Sequence, residues 1–395
     1  MSTPTDTLPP APPANGKRRR LMLALTGLLL LVAAGVAIWW ALFARHYEST
    51  DDAYVAGNVV QVTPQVAGTV LAIHADDTEL VQAGAPLVEL DRSDAQVMLA
   101  QAEAQLAQTV REVRTLFINH QTLDANVKLR SADLERARAD LARRQQLAGT
   151  GAVAREEIEH AASALRSAES ALRAAREQLA SNQALIQGTS VERHPNVQRA
   201  AAQVQAAYLG LARTTVPAPT AGHIARRTVQ IGQRVAVGMP LMSIVPLDAV
   251  WVDANFKEVQ ISRMRVGQPV ILHADLYGSG VAFHGKVAGL SAGTGAAFAL
   301  LPPQNASGNW IKVVQRVPVR IALDPEELAA HPLRVGLSMH AEVDIGAAEG
   351  QPLAAGAPAR GGPAYQTAVY DSAGQQAAAL IQRIIASNSA PAAQP

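Results

Sequence analysis

The chain has 395 residues, 49% of them hydrophobic and 17% charged, with 34 Lys and Arg against 33 Asp and Glu for a net charge of +1. That balance supplies no excess positive field and argues against a nucleic-acid partner. The absence of cysteine excludes a disulfide framework, a thiolate metal site, a cysteine nucleophile and an N-terminal lipoprotein anchor. An aromatic content of 4% predicts Ala-rich and Leu-rich helices in an elongated protein rather than one large core.

No residue from Leu21 to Ala44 is charged. As a helix, the stretch 21–43 runs roughly 34 Å, enough to cross hydrocarbon about 30 Å thick. Lys17, Arg18, Arg19 and Arg20 precede it, and Glu48, Asp51 and Asp52 follow. The positive-inside rule then places residues 1–20 in the cytoplasm and the body on the far side, with Trp39 and Trp40 as an interfacial belt. No second apolar run of spanning length follows, so the chain by itself reads as a single-pass anchor carrying a body, not as a channel or transporter.

The next feature is an internal repeat. PQVAGTVLAIHADDTELVQAGAPLVEL (Pro64 to Leu90) resembles PTAGHIARRTVQIGQRVAVGMPLMSIV (Pro219 to Val245), with the matched residues inside the two stretches 154 positions apart. Ala67-Gly68 corresponds to Ala221-Gly222, Val70 to Ile224, Val81 to Val235, and Gly84-x-Pro86-Leu87 to Gly238-x-Pro240-Leu241. Alternating Val and Ile between Gly and Pro predict short strands and tight turns, and two such halves must close on each other to bury an apolar face. Each half resembles half of a biotinyl/lipoyl domain. In the carriers of that family a modified lysine sits on the hairpin after a stretch like Leu87 to Asp91; here no lysine occurs between Lys17 and Lys128, so a biotin or lipoate cofactor has no attachment point.

The lysine loop is replaced by an insertion of helical character. Leu99, Leu106, Val113, Val127, Leu134 and Leu141 recur every seven residues, interrupted only by His120, which reads either as a partner-sensing site or, more in keeping with a coiled-coil seam, as a polar interruption that fixes register. Ile158, Leu165, Leu172, Leu179 and Ile186 repeat on a returning arm, with Ala161, Ala168 and Ala175 three residues behind. Gly149-Thr150-Gly151 between the runs predicts the reversal of an antiparallel coiled-coil hairpin whose first arm is roughly 80 Å long. Gly188 to Pro195 shifts the heptad and predicts a break. From 250 to 345, short strands with one small helix predict a small antiparallel β-barrel, and no phosphate loop, zinc spacing or catalytic signature is present. After Gly346 the Ala-, Gly-, Pro- and Gln-rich composition predicts mostly disordered chain with one short helix around Gln375 to Ala386.

The expected fold is therefore mixed and multidomain. It comprises a cytoplasmic tail (1–20), a transmembrane helix (21–43), a split lipoyl-like domain (44–93 plus 214–248), an α-helical hairpin (94–213), a β-barrel domain (249–346) and a tail (347–395). This order, with TDDAYV (Thr50 to Val55) after the span, resembles the membrane fusion proteins, or periplasmic adaptors, of the HlyD family. The stretches WVDANFKE (Trp251 to Glu258), MRVGQPV (Met264 to Val270), Gly293 to Ile321 and PLRVGLS (Pro332 to Ser338) look like the EmrA-type multidrug-resistance adaptors within it.

The resemblance implies no catalysis and no cofactor or metal. It implies self-association into an adaptor ring, an inner-membrane major-facilitator pump of the EmrB type and an outer-membrane channel of the TolC type. Channel-docking relatives carry Arg, Leu four residues on, and Ser seven further. Here Arg143 and Leu147 keep that spacing, but Ala154 stands in place of Ser. The resemblance thus assigns channel contact to Arg143, Leu147, Gly149, Thr150 and Gly151. Two other readings are an adaptor for protein secretion with an ATP-driven exporter and a membrane-tethered coiled coil with no transport role.

Overall fold

The computed structural model describes residues 16–42, 44–149, 151–295, 297–298, 314–346, 350–353 and 362–389. Two compact units emerge, one from Met1–Val59 and Val245–Ala364, the other from Val60–Ile244 and Tyr365–Pro395.

The first unit opens with helix α1 (Gly16–Leu42). Its side chains from Leu21 to Val36 are exposed. The helix starts before the apolar run, so Lys17 to Arg20 ride on its first turn instead of forming part of a separate tail. Cations at a helix N-terminus oppose the macrodipole, so their placement there is not explained by helix stability.

After one 3-10 turn come β1 (Tyr47–Ala56), β10 (Trp251–Lys257), β11 (Pro269–Ala274), β12 (Ala282–Leu290), β13 (Arg316–Leu323) and β14 (Ser338–Asp344). They close a barrel in the order β1-β10-β13-β12-β11-β14. Alternation along each strand sends Val252, Ala254 and Phe256, Val319 and Ile321, Leu272, Phe283 and Met339 into the core. Gly285 is needed where β12 crosses β13, because a Cβ would lie 2.7 Å from the Ala322 carbonyl oxygen.

The domain boundary expected at 44–93 is corrected here. β1 pairs with β10 and β14 and buries Ala53 and Val55 in the barrel, so residues 47–56 belong to it and not to the lipoyl-like domain. The stretch 299–313, including the first residues of one expected strand, lies outside the described residues.

The second unit contains the split domain. Strands β2 (Val60–Val62), β3 (Gly68–Ile73), β4 (Leu80–Val81) and β5 (Pro86–Leu90) come from before the insertion. Strands β6 (Thr215–Pro217), β7 (Gly222–Arg227), β8 (Arg234–Val235) and β9 (Met242–Val245) come from after it. They form two four-stranded sheets, β2-β9-β7-β4 and β6-β5-β3-β8, each built from both halves.

The pairing is reciprocal. Gly68 pairs with Val235 and Thr69 with Arg234, while Gly222 pairs with Val81 and His223 with Leu80, the same contacts displaced by 154. One core of Val70, Leu87, Leu90, Ile224, Val235, Leu241 and Ile244 results. The symmetry extends to backbone strain: Gly232 has φ +78°, and its counterpart Thr78 has φ +73°, the one described non-glycine residue in the left-handed region.

The insertion leaves from β5 and returns into β6, which are antiparallel neighbours. Its two ends are joined by a hydrogen bond from the Leu90 N–H to the Thr214 carbonyl (2.8 Å), so a long excursion leaves the sheet intact. Helix α2 (Ser93–Ala148) runs out for 56 residues, α3 (Arg155–Ile186) returns, and α4 (Pro195–Ala212) completes the path. The break expected at Gly188 to Pro195 lies between α3 and α4. There the buried His194 bridges the two helices: Nδ1 accepts from the Asn196 N–H, and Nε2 lies 3.2 Å from the Leu185 carbonyl.

In the tail, the helix expected around Gln375 to Ala386 is present and longer, Asp371–Ser389 (α7), and it packs on α2 and α4; the stretches 347–349, 354–361 and 390–395, where disordered chain is expected, lie outside the described residues. Ala377, Ile381 and Ile385 recur four residues apart and are buried on that face. Upstream, Leu353 is buried in the barrel core.

Candidate functional site

Two places carry the residues singled out by sequence, the hairpin tip and the anchor. At the tip, Arg143 and Leu147 occupy the last turns of α2, both exposed. Arg143 holds Asp140 at 3.5 Å, an exposed pair that leaves its guanidinium accessible. The adjacent Arg144 takes the structural role, meeting Asp140 at 2.9 Å and reaching Glu157 on the returning arm at 3.8 Å. Gly149 caps α2 in helical geometry, and Gly151 turns the chain with φ +71°. Thr150 lies outside the described residues.

The family's expected Ser falls on a position with a clear local role. Ala154 is the N-cap of α3, extended at φ −70° and ψ 145°, with no side-chain cap. Ser there would accept from the helix's free N–H groups, and with Glu157 at N3 it would complete a capping box. Ala154 thus gives up an N-cap at the tip.

At the anchor, Lys17, Arg19 and Arg20 are exposed on the first turn of α1, and Trp39 and Trp40 lie near its end. The side chains of Arg18, Trp39 and Trp40 are outside the described set, as is Phe43. The 18-residue window Arg19–Val36 has a mean hydropathy of 1.8 and is long and apolar enough to cross a membrane.

The TDDAYV motif has a structural explanation that spacing alone did not reveal. Between Thr50 and Ala53, β1 bulges against β14. The bulged acids are tied to different strands, Asp51 to His340 at 2.6 Å and Asp52 to Arg316 at 2.6 Å, with Asn255 donating to Asp52 (3.1 Å). The Thr50 hydroxyl donates to the Asn255 carbonyl (2.9 Å). The motif therefore locks the strand that follows the anchor into the barrel.

Two depressed carboxylates mark other joints. Asp91 ends the strand side of the insertion point, and the Ser93 backbone N–H, followed by its hydroxyl, holds its carboxyl below the ordinary value. Asp76 is likewise lowered, first by the Arg227 guanidinium at 2.7 Å and then by the Asp77 N–H, tying the loop before β4 to β7. In the hairpin seam, His120 Nδ1 and Asn182 Oδ1 are buried with no hydrogen bond among the described residues, consistent with a polar interruption of an apolar seam. No group of three or more His, Cys, Asp or Glu that could hold a metal occurs among the described residues.

Residues 93–214 match the family model described as "EMRA, alpha-helical hairpin domain". The chain is 44% identical over 356 residues to the multidrug export protein EmrA of Escherichia coli K12, covering 90% of this chain and 91% of that relative. It is 50% identical over 333 residues to the fatty acid resistance protein FarA of Neisseria gonorrhoeae, covering 84% of each. Among solved structures, that of the periplasmic adaptor protein EmrA is similar with a TM-score of 0.38 and 17% identity over 76% of this chain and 98% of that one. The similarity to EmrA over 90% of the chain, together with the matched hairpin domain, shows that the chain belongs to the EmrA-type membrane fusion adaptors of the HlyD family.

Proposed function

We propose that this protein is the adaptor of a tripartite multidrug efflux system, anchored in the bacterial inner membrane by α1 with its N-terminus in the cytoplasm and its body in the periplasm. The observation that carries the reading is similarity along nearly the whole chain to EmrA (90% of its length). It works with an inner-membrane pump, of the major-facilitator EmrB type, and an outer-membrane channel of the TolC type. It self-associates into a ring and performs no catalysis.

The hairpin serves as a spacer, and its tip at Arg143, Leu147 and Gly149 to Gly151 makes the distal contact with the channel. Relatives named for drug and fatty acid resistance favour this reading over a protein-secretion adaptor. Deleting the gene is expected to lower tolerance to exported compounds, and the tagged chain is expected to retain a major-facilitator pump on purification. Unchanged tolerance together with retention of an ATP-driven exporter would overturn the assignment. Alkaline phosphatase fused after Gly346 is expected to be active in cells, and an inactive fusion would overturn the topology.

A further inference from the structure

The end of the barrel nearest α1 presents an unusual surface. α1 ends at Leu42 and β1 begins at Tyr47, so the connecting backbone spans at most about 18 Å. Whatever the tilt of the anchor, the rim where β1 starts is held close to the surface that α1 enters.

A one-turn helix, α5 (Glu258–Ile261), sits on that same rim. Gln260 donates to Glu48 (2.9 Å), and Arg263 pairs with Glu48 and donates to the Arg45 carbonyl (3.4 Å). The Glu258 N–H donates to the Gln315 carbonyl (3.4 Å), which brings the chain before β13 beside α5. Two large apolar side chains face outward here, Val259 at 72% exposure and Val314 at 55%. On the same rim Arg45, Lys257 and Glu258 are exposed and carry no ion pair among the described residues, two cations against one acid.

We infer that this rim is a lipid-contacting surface, in which Val259 and Val314 enter the interfacial layer and Arg45 and Lys257 meet the phosphates of anionic lipids. The inference rests on reading α1 as a membrane anchor. Single exposed valines are ordinary on protein surfaces. The pairing of apolar tips with unpaired cations, tethered within a short backbone reach of the bilayer, is the composition of an interfacial contact. It gives the barrel a second hold on the membrane and so restrains its tilt.

Because the chain has no cysteine, single labels are unambiguous. The full-length protein is placed in nanodiscs of phosphatidylcholine and phosphatidylglycerol, with an environment-sensitive fluorophore at Val259→Cys, at Leu276→Cys or at Val32→Cys. Leu276 follows Asp275, whose N–H reaches Ser338 opposite Tyr54, and so marks the far rim, where it is also exposed. Brominated acyl chains are expected to lower emission about twofold at position 259, the behaviour of a group about 5–10 Å into the interface, and to leave position 276 unchanged. Adding Arg45→Glu with Lys257→Glu is expected to relieve the quenching at 259. Quenching at 32 without quenching at 259 overturns the lipid contact and leaves the anchor intact, and so does a blue-shifted but unquenched 259, which reports a protein neighbour. Equal quenching at 259 and 276 also overturns it, and no quenching at 32 removes the anchor reading and the inference together.

Discussion

At the base of the hairpin, Leu106, Val110 and Val113 of α2 are buried with Val197, Ala200 and Val204 of α4, and Ile381 and Ile385 of α7 belong to the same cluster. Toward the tip, two helices remain. There Leu134, Ala161, Leu172 and Ala175 are buried, and exposed pairs such as Arg138–Glu169 at 3.9 Å and Arg144–Glu157 at 3.8 Å link the arms. Apolar burial contributes about 25 cal/mol per Å², whereas exposed ion pairs contribute about 0–1 kcal/mol each. The contrast separates two duties: the base carries stability, and the tip can change its surface without endangering the fold.

That separation can be broken in order of expected effect. Leu106→Ala, at a fully buried position, is expected to destabilise the hairpin by about 3 kcal/mol, read by chemical denaturation with helical circular dichroism. Ile385→Ala is expected to cost about 2 kcal/mol and to raise hydrogen exchange in α4 and the first half of α2, but not in α3. An equal rise throughout α3 would mean that base and tip unfold as one unit.

The tip should respond in the opposite direction. Ala154→Ser supplies the missing N-cap and is expected to stabilise the start of α3 by about 1 kcal/mol, seen as slower exchange near 155–160. The smallest effect is Arg144→Ala, about 0.5 kcal/mol or less and reduced further by salt. A loss from Arg144→Ala comparable with that from Leu106→Ala would remove the contrast.

The parts legible in the sequence were those with a period. The heptads of α2 and α3 and the offset of 154 between the lipoyl-like halves both encode repeated local geometry, and both reappear in the structure. The domain that β1 joins is not legible in the sequence, because its partners, β10 and β14, lie far along the chain and strand alternation does not say which sheet a strand joins. The full length of α7 is hidden because Ala377, Ile381 and Ile385 sit in an Ala- and Gln-rich background whose composition resembles disordered chain. Only the family resemblance marks the tip residues, since Arg143 and Leu147 have the local character of any exposed helix end.

Leu147→Asp tests the division of labour most directly. Leu147 is exposed in the last turn of α2, so the new charge opposes the helix dipole by at most about 1 kcal/mol and touches nothing at the base. Placed in a desolvated contact with an outer-membrane partner, the same charge would be strongly unfavourable. Normal protein level, helicity and pump retention are expected, with loss of drug resistance. Full resistance at a normal protein level would contradict that expectation and remove the distal contact from the tip.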